Sequence, residues 1–208
     1  MYTAEVTIES YTLRELSEQI LEDLLPVYQS AYHGSTMHED LIEDTTTATP
    51  RCKLFVARSQ GIAIGGRVIK IEEDKFLQTL FDQELVFGKR FAVHPEFRHH
   101  GVGKALLNAG KTYCFNELNI PAMFGQSNEI GAMAMYRREG AMFHKPTIHN
   151  YFPRNSNTEA EQHFNTLLDT KALHGLRLPT GSGIYYAYPK DDETARKLQI
   201  HGFITLDN

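Results

Sequence analysis

The chain has no tryptophan, only two cysteines, and no apolar run near the ~18 residues that span a bilayer. A membrane-spanning helix is therefore not expected. Cys52 and Cys114 are too few for a disulfide scaffold. Neither stands in a CxxC or CxxH pair, so no metal site is expected. Basic residues are in deficit, with 21 Lys and Arg against 26 Asp and Glu, a net charge of −5. A domain built to hold nucleic acid shows the opposite balance. The opening residues, Met1 to Val6, lack a basic stretch followed by an apolar one, so no secretory leader is expected. Reduced thiols in the cytoplasm are the expectation.

What is present is ordinary for a globular chain. With 208 residues and 41% hydrophobic composition, one domain with a terminal extension can bury a core without metals or disulfides. Residues 5–9 alternate as a strand. Over 13–32, Leu13, Leu16, Ile20, Leu24, Val27 and Ala31 recur every three or four positions, as in a helix that Pro26 should kink or split. Residues 34–50 are polar and read as a loop or a short, weakly anchored helix, a flap on the substrate side. Residues 53–57 and 62–71 form a strand hairpin. A short helical insert is expected over 74–81, strands over 85–93, 122–125 and within 141–152, and helices over 101–116 and 130–138. Beyond these come a helix over 157–173, turns over 178–183, a tyrosine-rich strand over 184–188, a helix over 193–200 and a last strand over 203–206. Strands alternating with helices point to an α+β (α/β-like) fold with a mixed sheet.

One stretch carries chemistry. An apolar strand ends at Val93, a short turn follows, and Arg98-x-x-Gly101-x-Gly103 opens an amphipathic helix. Glycines at a helix start let a pyrophosphate approach unpaired backbone N–H groups at the positive end of the helix dipole. His99, His100 and Lys104 add cationic groups beside it. The pattern is neither a Walker loop, since no Ser or Thr follows Lys104, nor the dinucleotide GxGxxG.

The order Val93-x-Pro95-Glu96-x-Arg98-x-x-Gly101-x-Gly103-x-x-Leu106-Leu107 resembles the acyl-CoA motif of the GNAT superfamily of N-acetyltransferases. Asn128, Ala134, Tyr136, Gly140 and Phe143 resemble that superfamily's second cofactor motif, in the expected order. The resemblance covers roughly residues 54–143. It implies a single domain over 1–154, with a mixed, mostly antiparallel sheet whose central parallel strands splay apart, flanked by helices. Residues 155–208 would be a C-terminal extension packed on that domain, serving the acceptor site or a homodimer interface. The pantetheine arm would pair with the backbone of Phe91, Ala92 and Val93. The pyrophosphate would rest on Arg98, His99, His100, Gly101, Val102, Gly103 and Lys104. Asn128 would contact the pantetheine or thiol end, and Tyr136 would protonate the departing thiolate. Acetyl-CoA would be the co-substrate and a small-molecule primary amine the acceptor, attacking directly in a ternary complex without metal.

From the residues alone, Tyr136 also fits core packing, Asn128 a helix N-cap, and Arg98 a solvent or carboxylate contact. No carboxylate stands in the middle of strand 85–93, which leaves Glu84, His94, Glu96, His144, His149 or a water chain to take the ammonium proton. His144 and His149 are expected on the strand after the second motif. Gly65-Gly66-Arg67-Val68 and Arg90–Val93 also resemble segments of acyl-homoserine-lactone and N-acyl amino acid synthases. That resemblance implies long acyl chains from an acyl carrier protein, with Arg67 and Arg90 holding an acceptor carboxylate. Glu39, Asp40, Glu43 and Asp44 would instead attract a cationic amine. A silent CoA-binding module is a further reading. The intact Arg98–Gly103 turn puts N-acetyl transfer from CoA first. Tyr185–Tyr188, if exposed, would pair with a second subunit or close the acceptor site.

Overall fold

Alternation along β1 (Val6–Thr12) suits an edge strand, and it pairs antiparallel with β2 (Lys53–Ser59), Val6 facing Ser59 and Thr12 facing Lys53. In this computed structural model the described residues are 5–32, 37–47, 49–72, 77, 84–154, 156–170, 176–178 and 183–206. The chain divides into two compact units, Met1–Glu73 with Val86–Asn119, and Asp74–Leu85 with Ile120–Asn208.

In the first unit β2 turns back into β3 (Ile62–Glu72) through Gln60 and Gly61, both with positive φ. Such turns match the twist of paired strands. β4 (Leu85–Val93) lies next to β3, and the His94 N–H donates to the Ile64 carbonyl at 2.9 Å. Helix α1 (Glu18–Ala31) is capped by Ser17 and buries Leu24, Val27, Tyr28 and Ala31. It runs through Pro26 as one helix, not two. The proline forfeits one helix bond and crowds the preceding turn, while the buried face packs on β3 and holds the helix together. α2 (Met37–Thr47) occupies the stretch expected to be a loop or weak helix, and it is firmly seated, with Leu41 fully buried and Asp44 nearly so. α3 (Val102–Thr112) continues as a π-helical segment, Tyr113–Glu117. The core joins Leu13, Leu24, Val27, Tyr28, Leu41, Leu54, Val56 and Val68. Each such aliphatic side chain contributes about 1.5–3 kcal/mol by burial.

The second unit has strand order β5 (Ala122–Ser127), β7 (Ile184–Pro189), β6 (Met142–His144), β8 (Phe203–Thr205), and β5–β7, β7–β6 and β6–β8 all pair antiparallel. Among its described residues it carries α4 (Ile130–Arg138), α5 (Lys145–Tyr151), α6 (Asn157–Asp169) and α7 (Asp192–Ile200). Phe143 meets Phe164 edge-on at 5.5 Å, and Phe124 meets Phe203 at 6.2 Å, all four fully or almost fully buried. The strand expected within 141–152 is only three residues long. Pro146 stands in the first turn of α5, where its fixed φ and missing N–H favour a helix start, so His149 lies on a helix. β7 has β5 on one side and β6 on the other, so the tyrosine-rich strand uses both its edges within its own unit. Of the insert expected over 74–81 only Leu77 is described, and of the turns over 178–183 only Leu178 and Gly183.

Candidate active site

The cofactor turn is built by the first unit. β4 ends at Val93, the turn Pro95–Phe97 follows, and Gly101 takes φ +82 as the residue before α3. That left-handed backbone is open to glycine and strained for residues with a Cβ. A Cβ at Gly101 would meet nothing within 4 Å, so the turn faces open space there. The Ala105 N–H donates to the Gly101 carbonyl at 2.9 Å and starts the helix ladder. The N–H groups before it have no carbonyl of their own helix to bind. His99, His100, Gly101 and Lys104 are exposed, whereas Val102, Leu106 and Leu107 are buried and fix the helix beneath them. Arg98 Nε donates to the Val93 carbonyl at 3.2 Å, closing the turn onto the strand end. These groups fit a pyrophosphate: an open cradle, amide donors and flanking cations.

Behind the turn, Ala92 is buried while Phe91 and Val93 are half-buried. Arg67 is fully buried, its guanidinium over the Phe91 ring at 5.1 Å. Gly88 makes room for it, since a Cβ there would lie 2.1 Å from Arg67 Nη2. Arg90 does have carboxylate partners, and they are the chain's own. Its Nε donates to Asp44 at 2.9 Å and its Nη1 to Asp40 at 3.0 Å, while Lys70 donates to Asp44 at 2.6 Å. Burial alone would raise the Asp44 carboxyl, but the hydrogen bonds from Lys70 and Arg90 prevail and hold it below its ordinary range. Two groups expected to favour acceptors of opposite charge thus meet in one cluster.

The second unit carries Tyr136 and Asn128. Tyr136 is 3% exposed, meets Tyr186 at 4.3 Å with the rings tilted by 30°, and meets Tyr188 edge-on at 6.5 Å. The Tyr188 hydroxyl donates to the Tyr136 carbonyl at 3.2 Å. Tyr186 lies flat over Gly125, where a Cβ would come within 2.4 Å of its ring. The residue capping α4 is Glu129, not Asn128. The Asn128 carbonyl accepts from the Leu178 N–H at 2.7 Å, and the Ile130 N–H donates to Leu176 at 3.1 Å. Of the base candidates, Glu84 and Glu96 are exposed, and His94 sits edge-on to Phe97 at 6.0 Å. His144 is buried beside Phe203 at 5.0 Å, and burial with the neighbouring His149 lowers its pKa. His149 pairs with Glu161 at 3.0 Å. Among the described residues no cluster of His, Cys, Asp and Glu suits a metal ion. Both cysteines are free and buried, and burial pushes the Cys114 thiol up to about 12. Sequence reasoning did not single out Tyr186, whose ring meets Tyr136. The spacing of Tyr186 and Tyr188, two apart on a strand, signals a shared face.

The chain's residues 17–141 match the model of the Acetyltransferase (GNAT) family. The chain belongs to that family, and the reaction class is acyl transfer from acyl-CoA. Solved structures agree on the fold. A GNAT-family acetyltransferase from Staphylococcus aureus Mu50 superposes with TM-score 0.58 at 15% identity, over 90% of this chain and 100% of its own. A mosquito arylalkylamine N-acetyltransferase like 5b gives 0.55 at 14%, over 89% and 100%. The ribosomal-protein-S18-alanine N-acetyltransferase of Escherichia coli gives 0.53 at 16%, over 90% and 95%. The fold is thus the GNAT fold, of the α+β class, with a mixed and mostly antiparallel sheet flanked by helices. No curated protein sequence matches the chain. Among the described residues no helix is long and apolar enough to cross a membrane.

Proposed function

We propose that the chain transfers the acetyl group of acetyl-CoA to the primary amine of a small molecule, by direct attack in a ternary complex. The observation that carries this reading is the Arg98–Gly103 turn: left-handed Gly101 opening α3 onto free space, with exposed His99, His100 and Lys104 around it. In this reading the turn takes the pyrophosphate, with Val102 and Gly103 supplying backbone donors. The backbone of Phe91, Ala92 and Val93 pairs with the pantetheine arm and polarises the acyl carbonyl. Asn128 contacts the thiol end. The amine nitrogen bonds to the acyl carbon, the carbon–sulfur bond breaks, Tyr136 gives its proton to the sulfur, and the ammonium proton leaves to water or a nearby base. Acetyl-CoA supplies only the activated acyl group. Residues 155–208 shape the acceptor site or a homodimer contact, and the protein acts in the cytoplasm without nucleic acid, membrane or metal.

Long-chain transfer from an acyl carrier protein would use Arg67 and Arg90 to hold an acceptor carboxylate. The commitment of Arg90 to Asp40 and Asp44 favours the first reading. The test is thiol release from acetyl-CoA against a panel of small primary amines, with CoA binding by calorimetry alongside. Thiol release with an amine is the expected result. Tight CoA binding with no thiol from any amine would leave a silent CoA-binding module.

A further inference from the structure

Several observations in the first unit converge on one peptide. Arg90 takes φ +47 within β4, a left-handed backbone uncommon for residues other than glycine. Such a conformation persists where the surroundings over-determine it. Here they do. The Tyr28 hydroxyl donates to the Arg90 carbonyl at 2.9 Å, and the Tyr32 hydroxyl donates to the next carbonyl, that of Phe91. Tyr28 belongs to the last turn of α1 and Tyr32 is its C-cap, and their rings stack at 6.3 Å. Gly66 admits the first of them, because a Cβ there would stand 3.0 Å from the Tyr28 oxygen. On the side-chain side, Asp44 and Asp40 of α2 grip the Arg90 guanidinium, and Lys70 of β3 holds the other oxygen of Asp44.

In a regular strand successive carbonyls point to opposite edges. Here two in succession are turned toward α1. Because a trans peptide sets its N–H opposite its C=O, the N–H groups of Phe91 and Ala92 are both aimed away from that helix. We propose that Tyr28, Tyr32 and the Asp44–Arg90 pair are positioning residues that lock the left-handed backbone at Arg90, so that the Phe91 and Ala92 N–H groups, already assigned to the acyl carbonyl, share one direction. This rests on the acyl-transfer reading above.

The test uses the full chain with the double substitution Tyr28→Phe and Tyr32→Phe, and separately Arg90→Gly and Arg90→Ala. Removing only two hydroxyls leaves the packed rings in place, and thermal melting checks that the fold holds. Three quantities are read: amide hydrogen exchange of the peptide spanning residues 89–94, CoA affinity, and kcat of thiol release with acetyl-CoA and the best amine of the panel. In the tyrosine variant, exchange at Phe91 and Ala92 is expected to quicken. Its kcat is expected to fall about tenfold, the effect of one net hydrogen bond. CoA affinity is expected to stay within about twofold, because the turn is untouched. Arg90→Gly retains more turnover than Arg90→Ala, since only glycine takes this φ without strain. Unchanged exchange, unchanged kcat, or a kcat loss matched by equal loss of CoA affinity would overturn the proposal, as would equal behaviour of the two Arg90 variants. If the wild-type chain releases no thiol with any amine, the functional reading fails by itself, and exchange still decides whether the tyrosines lock the backbone at Arg90.

Discussion

Tyr136 is packed in the second unit, and the proposed mechanism gives the same side chain a proton to transfer. Its ring is sealed between Tyr186 and Tyr188 in the second unit, which fixes the direction of the phenol without defining its use. If it protonates the thiolate, Tyr136→Phe lowers kcat by about 100-fold, the lower range for a general acid, and leaves CoA affinity within about twofold. Equal losses in both would mark it as packing alone. His144 yields a separate expectation for stability. Burial and the nearby His149 depress its folded pKa below 6.5, while the unfolded chain takes up the proton near that value. The unfolded state therefore binds more protons once pH falls below about 6.5, and acidification destabilises the fold. Urea midpoints from about pH 7.5 to about pH 5.5 are expected to fall less for His144→Gln than for the wild type. Parallel slopes would assign the effect to another group. At this scale the Arg98–Gly103 turn was legible in the sequence, because its signals lie within six residues. The clamp on Arg90 was not, because Tyr28 stands 62 positions away and Asp44 stands 46. Only the fold brings them together.

Elements were legible where one local rule governed them. β4 and α3 were recognised from apolar patterning and glycine punctuation. α2 is hard to read because its composition is polar, and its anchorage rests on Leu41 and on Asp44, whose partners Lys70 and Arg90 lie on β3 and β4. α5 was missed because the apolar pattern of 141–152 suits a strand, while Pro146 favours a helix start. Two predictions belong here. Gly101→Ala places a Cβ at φ +82 in front of α3, which is expected to cost about 1–2 kcal/mol of stability and to weaken CoA binding several-fold by disturbing the cradle. Chemical unfolding and calorimetry read the two effects. For α2, the depressed Asp44 pKa means that its contribution is present above the ordinary carboxylate value of 3.8 and lost as pH falls below it. Asp44→Asn is expected to flatten the acid limb of the stability curve below about pH 4, measured by denaturant midpoints.

For the whole molecule, the charge balance and the topology each carry a consequence. A net charge of −5 leaves the cationic turn as a local feature, and fluorescence anisotropy at physiological salt is expected to detect no binding of single-stranded or transfer RNA. After Arg154 the helices and strands are legible in the sequence but their partners are not, because strand pairing over such separations leaves no local mark. In the structure this segment supplies β7, whose Tyr186 lies opposite Phe143 and Gly125. A chain ending at residue 154 is expected to lose cooperative melting, as followed by circular dichroism. The same topology orders events during synthesis. β6 has two neighbours, β7 and β8, and both are translated after it. Until Pro189 has cleared the ribosome, Phe143 has no paired strand to settle against. A ribosome-bound chain stalled near residue 154 is therefore expected to leave the β6 edge unpaired and to be more prone to aggregate than the released full-length chain, as read by pelleting of stalled complexes.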